Sequence, residues 1–125
     1  MITFICYTKC TTCQKAKKWL DDHQIAYEMR DIKTDHPKKE ELCAWYQASG
    51  LPLRKFFNTS GLLYKSMELK DRLPAMSEDE MLEILALDGM LVKRPVLIGD
   101  TFVLAGFKED DWAKHVTGET HVELK

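Results

Sequence analysis

No stretch of the sequence is both long and apolar enough to cross a bilayer, which takes about 20 residues. The opening residues, MITFICYTKC, lack the basic start and the long apolar segment of a secretory signal. Charge of one sign is also missing. Eighteen Lys and Arg face twenty Asp and Glu, and the net charge of -2 gives no general attraction to nucleic acid or to an anionic membrane. Direct DNA binding and membrane association are therefore not expected. No internal repeat or low-complexity tract interrupts the chain, and neither GxxxxGK nor GxGxxG is present to cradle a phosphate. Together these absences predict a cytoplasmic protein, and structural disulfides are rare in that compartment. The four cysteines need another explanation.

What is present is an ordinary globular composition over 125 residues, 45% hydrophobic and 30% charged, which suits one domain with one core. Ile2 to Tyr7 is apolar and rich in β-formers, and reads as a buried strand. From Thr11 the spacing becomes helical, with Ala16, Trp19 and Leu20 on one face, until His23-Gln24. Ile25 to Ile32 alternates apolar and polar like a second strand. Strand, helix and strand in this order imply a parallel pair with a right-handed crossover.

The following sixty residues are mostly helical in signal. Pro37 suits a first helical turn and Gly50 a C-terminal cap. Leu53 to Phe57 reads as a short helix, and Asn58 to Gly61 as a turn. Ser77 with Glu80 forms a capping box before the apolar face Met81, Leu82 and Leu85, and that helix is expected to run to Asp88-Gly89. Pro95 to Ile98 and Thr101 to Ala105 flank Gly99-Asp100 as an antiparallel hairpin. Glu109 to Val116 closes the pattern as a helix. The expected organisation is α/β, βαβ then ββα, the thioredoxin-like order. One domain covers residues 1–116, with a helical insertion at about residues 34–90 and a flexible tail over residues 117–125.

Cys10-Thr-Thr-Cys13 stands at the junction of the first strand and the first helix. Unpaired N–H groups and the dipole at a helix N-terminus favour negative charge, which a nucleophilic sulfur needs. Lys9 adds a positive neighbour, and the next acid is Asp21. Cys13, one turn on, is placed to attack a mixed disulfide formed at Cys10. A CxxC in a βαβ setting therefore points to redox chemistry. Two other readings stay open. Zinc would need two more ligands, and there is no second CxxC or close His pair; both cysteines could instead be plain core residues. Cys6, within the apolar strand, and Cys43, beside Leu42, Trp45 and Tyr46, read as packing. Trp19, Trp45 and Trp112 also read as core, and Lys15, Lys17 and Lys18 as a solvated face that adds positive potential beside Cys10. His115 and His121 could pair on a metal, but a polar tail is the simpler account, and no metal site is expected.

YTKCTTCQKAKKWLDDH, KRPVLIGD and AGFKED together resemble the arsenate reductase (ArsC)/Spx family of thioredoxin-like proteins, from Ile2 to about His115. FFNTSGLLYKSM and DGMLVKRP are similar to the arsenate reductase-like proteins of Gram-positive bacteria. The resemblance implies a thioredoxin-like core with a helical insertion and a catalytic cysteine at Cys10. Family arsenate reductases surround their oxyanion with three arginines. Arg94 matches one, the second position falls on Asn58, the third near Gly106-Phe107, and an arginine usual after the catalytic loop is Gln14. Asn and Phe do not replace the arginine fork, so arsenate is expected to be a poor substrate. The resemblance also implies a cis Pro95 facing the reactive cysteine. The expected site is Cys10 and Cys13 as catalytic thiols, with Arg94, Pro95, Thr11 and Thr12 positioning the substrate. The expected activity is that of a thiol–disulfide oxidoreductase with no bound cofactor. Its electrons would come from a low-molecular-weight thiol, thioredoxin or glutaredoxin. The Spx branch implies one alternative, a regulator whose dithiol gates binding to the C-terminal domain of the RNA polymerase α subunit; the other is a true arsenate reductase with an unusual anion site.

Overall fold

In the computed structural model, which describes residues 2–117, the ITFIC run forms β1 (Ile2–Cys6), followed by α1 (Thr11–Asp22) and β2 (Tyr27–Asp31). β1 and β2 pair in parallel, from Ile2 opposite Tyr27 to Cys6 opposite Asp31. The buried face of α1 is Cys13, Ala16, Trp19 and Leu20, the three-and-four spacing that lays one stripe against a sheet. β2 is shorter than its sequence pattern and lacks its clean alternation. It is an edge strand, so Met29, on the same side of the sheet as Phe4, remains 46% exposed.

The next segment carries α2 (Lys39–Ser49), α3 (Leu62–Ser66), α4 (Leu69–Arg72) and α5 (Glu78–Leu85), joined by turns that include single 3-10 turns at Leu53–Phe56 and Leu73–Ala75. Pro37 lies outside α2 instead of in its first turn. The Glu41 carboxylate accepts the Lys38 backbone N–H at 3.0 Å, which makes Lys38 the cap. Gly50 closes α2 at φ +70°, a left-handed conformation that favours glycine. The Ser77 capping box is reciprocal: the Glu80 N–H donates to Ser77 Oγ at 3.2 Å, and the Ser77 N–H donates to Glu80 Oε1 at 3.0 Å. α5 stops at Leu85, short of the expected Asp88-Gly89. Asp88 instead accepts the Met90 N–H at 2.8 Å and starts a separate 3-10 turn, Gly89–Leu91. Gly89 passes so close to β2's end that a Cβ there would lie 1.8 Å from the Ile32 carbonyl oxygen.

β3 (Val96–Ile98) and β4 (Val103–Ala105) make the hairpin, and β3 pairs antiparallel with β1. The sheet order is β2-β1-β3-β4. α6 (Glu109–Trp112) continues as a wider π-type turn, Ala113–Thr117. Thr117, expected to begin the tail, donates its hydroxyl to the Ala113 carbonyl at 2.7 Å; the rest of that tail, with His121, lies outside the described residues.

Strand alternation splits the interior into two layers. Phe4, Cys6 and Leu97 face α1 and α6, where they pack with Cys13, Trp19 and Trp112. Ile5 and Val96 face the opposite way, into Leu42, Phe56, Phe57, Leu85 and Leu91 of the middle segment. Helices therefore cover both sides of a mixed four-stranded sheet, as the element order predicts. Trp19 and Trp112 are core residues. Trp45 is only half-buried, packed against the edge of the other layer with the Arg30 guanidinium of β2 5.7 Å above its ring. Among the described residues, no helix is long and apolar enough to cross a membrane.

Candidate active site

Cys10 is the N-cap of α1, in extended backbone, held by its N–H donating to the Tyr7 carbonyl at 2.9 Å. Its own carbonyl accepts the Gln14 N–H at 3.0 Å, and the Gln14 side chain donates to the Thr8 carbonyl at 3.0 Å, so the family's arginine position here braces the loop. The first turn of α1 has no acidic residue. Cys10 is half-buried at the wall of a cavity of about 390 Å³, whose lining includes Thr12, Asn58, Lys93, Arg94 and Lys108. Thr11 is exposed and does not line this cavity.

Cys13 lies behind Cys10 with 2% of its surface exposed. The Tyr7 backbone N–H donates to its sulfur at 3.3 Å. Cys6 shares its buried layer, and Cys10 packs against that layer. The Cys6 contact and burial push the Cys13 thiol well above its ordinary value, because in this setting it keeps its proton and donates it. Cys10 is thus the accessible sulfur and Cys13 the screened one. Among the described residues, no three His, Cys, Asp or Glu side chains converge as a metal-binding set.

The Arg94–Pro95 peptide is cis. Pro95 is buried, and its carbonyl accepts the Gly106 N–H at 2.8 Å, which ties the far wall of the cavity to β3. The Arg94 guanidinium lies 5.4 Å over the Tyr7 ring, with Nη1 3.9 Å from Met90 Sδ. Its Nε is buried and has no hydrogen-bond partner among the described residues. A buried donor left unpaired is costly, more so on a charged group, and Arg94 also lines the cavity that Cys10 borders.

At the positions where family arginines are absent, Asn58 donates its side-chain N–H to the Met90 carbonyl at 3.3 Å. Phe107 stacks edge-on against Trp112 at 4.8 Å and Trp19 at 6.4 Å. Asn58 is engaged by that hydrogen bond and Phe107 by ring packing. The site nevertheless has positive charge beyond Arg94, because Lys93 and Lys108 line the same cavity. Sequence reasoning missed these two, although each stands next to a position that the resemblance had marked. Lys17 and Lys18 contribute less beside Cys10 than expected: each pairs at 2.8 Å with an acid one turn on, Asp21 and Asp22. Cys43 is half-buried against the other layer, away from this group.

The ArsC family profile matches residues 6–115. The chain is 52% identical over 114 residues to the uncharacterized protein YusI of Bacillus subtilis (strain 168), covering 91% of this chain and 97% of that protein. It is 26% identical over 111 residues to the global transcriptional regulator Spx of Streptococcus agalactiae serotype V, covering 89% and 80%. Among solved structures, an ArsC family related protein from Bacteroides fragilis superposes with a TM-score of 0.89 at 51% identity, over 90% of this chain and 95% of that one.

Proposed function

Because the chain belongs to the ArsC family, we propose that it is a cytoplasmic thiol–disulfide oxidoreductase, with Cys10 as nucleophile and Cys13 as resolving thiol. The supporting observation is the pairing of an accessible sulfur at a helix N-terminus with a screened sulfur directly behind it. In the first step the Cys10 thiolate attacks one sulfur of a substrate disulfide, and the other sulfur leaves as a thiolate. In the second, Cys13 gives up its proton and attacks the Cys10 sulfur, releasing the reduced substrate. Two electrons have then passed to the substrate, and the protein holds a Cys10–Cys13 disulfide. A low-molecular-weight thiol, thioredoxin or glutaredoxin restores the dithiol. No bound cofactor takes part.

Arg94, Lys93 and Lys108 hold the anionic groups of the substrate against the Cys10 loop, with the Thr12 end of α1 beside them. Pro95 acts through its carbonyl, which fixes the Gly106 wall. Arsenate fits this site less well. Lysines offer point charges without the planar two-pronged donor of arginine, and Asn58 is already engaged.

A second reading draws support from the Spx relatives. In it the same dithiol switches affinity for the C-terminal domain of the RNA polymerase α subunit. A regulator of this kind must bind its partner differently in its two redox states, since a ligand with equal affinity for both shifts nothing. The test is a disulfide reductase assay beside titration of that domain with oxidised and reduced protein. Cys10-dependent turnover with little redox effect on binding is the expected result. Redox-dependent binding without turnover would establish the regulator and remove the enzyme.

A further inference from the structure

We propose that Cys6 is a third redox thiol, which attacks the Cys13 sulfur of the Cys10–Cys13 disulfide to leave a buried Cys6–Cys13 disulfide and a free Cys10. The proposal rests on the reading that Cys10 and Cys13 form a disulfide during turnover, and it adds a second destination for that disulfide.

The geometry begins with strand alternation. Phe4 and Cys6 share the side of β1 that α1 covers, so Cys6 faces the first turn of α1, where Cys13 stands. Both sulfurs belong to the same sealed layer, at 3% and 2% exposure. The Tyr7 N–H, donated to Cys13 Sγ at 3.3 Å, anchors that sulfur over the residue next to Cys6. Cys10 packs against the same layer, so Cys13 has Cys6 across the layer and Cys10 one helical turn back, and is the middle of the three sulfurs. A middle sulfur of this kind can exchange one partner for the other without the protein opening.

The step is isoelectronic. The Cys6 thiolate forms a bond to the Cys13 sulfur, and the Cys10–Cys13 bond breaks. Cys10 departs as a thiolate at the helix N-terminus, and the proton lost by Cys6 ends on Cys10 or in solvent. No oxidant beyond the substrate disulfide is consumed. The result is an oxidised protein whose disulfide is out of reach of small thiols and whose nucleophile is open to the cavity.

The sequence makes the two disulfides separable, because Lys9 and Lys15 place Cys6 on one tryptic peptide, residues 1–9, and Cys10 with Cys13 on another, residues 10–15. The wild-type protein, oxidised with oxidised glutathione or diamide, is unfolded in N-ethylmaleimide, digested without reductant and analysed by mass spectrometry. The expected product is the 1–9/10–15 cross-link joined through Cys13, with maleimide on Cys10, at about a tenth or more of the Cys10–Cys13 loop, a tenfold ratio corresponding to ~1.4 kcal/mol. Only the looped 10–15 peptide, with maleimide on Cys6, would overturn the third thiol and leave the dithiol reading standing. A cross-link through Cys10 would overturn it too. Neither disulfide would overturn both.

Discussion

Cys10 and Cys13 are one helical turn apart, yet one meets a cavity and the other a sealed apolar layer. Their reactivities should differ accordingly. At mildly acidic pH, native-state labelling by iodoacetamide should fall by at least an order of magnitude in Cys10→Ser and be largely retained in Cys13→Ser; faster labelling of Cys13 would reverse the assigned roles. Arg94 lines the cavity that Cys10 borders, so its loss should register on the substrate more than on the fold. Arg94→Ala is expected to raise the KM for an anionic disulfide by roughly ten- to a hundredfold, the weight of one charge-assisted hydrogen bond at ~1.5–3 kcal/mol, with little change in Tm. An unchanged KM would remove it from the site. The CxxC and the Arg94-Pro95 pair were legible in the sequence because each is local, a spacing or a dipeptide. Lys93 and Lys108 were not, because they reach one cavity only through the meeting of two loops beside β3 and β4. The Cys6 contact was hidden for a related reason: a cysteine in an apolar strand reads as packing until the partner across the layer is known.

Elements were legible where their ends carry chemistry. Ser77 and Glu80 announce α5 and Gly50 ends α2, because a cap is a property of a few neighbouring side chains. α3 and α4, only five and four residues long, have too few turns for a periodic stripe, and β2 lost its alternation to its edge position. Ser77→Ala should cost ~1 kcal/mol by loss of the Glu80 N–H acceptor, seen as a lower urea midpoint with an unchanged slope. A second junction is electrostatic. Arg30 of β2 grips Glu41 of α2 through two hydrogen bonds, at 2.7 and 2.9 Å, and holds its carboxyl down at about 2, against an ordinary value of 4.5. The depressed value means that the unfolded chain binds the proton first. The pair's contribution is therefore full above about pH 4.5 and is lost as pH falls toward 2. Because Glu41 is about one-third exposed, solvent screening limits that contribution to ~1 kcal/mol. Glu41→Gln should lower Tm at neutral pH and flatten the acid limb of Tm against pH; an acid limb parallel to wild type would show that the pair adds nothing.

At the scale of the whole molecule, the sheet separates two tasks. Its α1–α6 side carries Cys6, Cys10 and Cys13, and its other side packs the middle segment. The site is held between them by the Gly106-Phe107 strip, pinned from one direction by Pro95 and from the other by Trp112, whose indole N–H donates to the Gly106 carbonyl at 3.1 Å. Trp112→Phe keeps an aromatic ring but leaves that buried carbonyl without its donor, and should cost ~1–3 kcal/mol in chemical denaturation; a smaller loss would mean that the strip is held by packing alone. The overall plan was the most legible level, since element order and crossover handedness leave few ways to arrange two parallel strands, a helical segment and a hairpin. The separation of layers also has an optical consequence. Trp19 and Trp112 share the sealed layer with Cys6 and Cys13, whereas Trp45 lies across the sheet with the other cluster. Sulfur in contact with an excited indole quenches its emission, and a disulfide does so more strongly than a thiol. Emission from Trp19 and Trp112 is therefore expected to fall when the dithiol is oxidised, with Trp45 as the reference, so the redox state of the molecule could be followed by its own light.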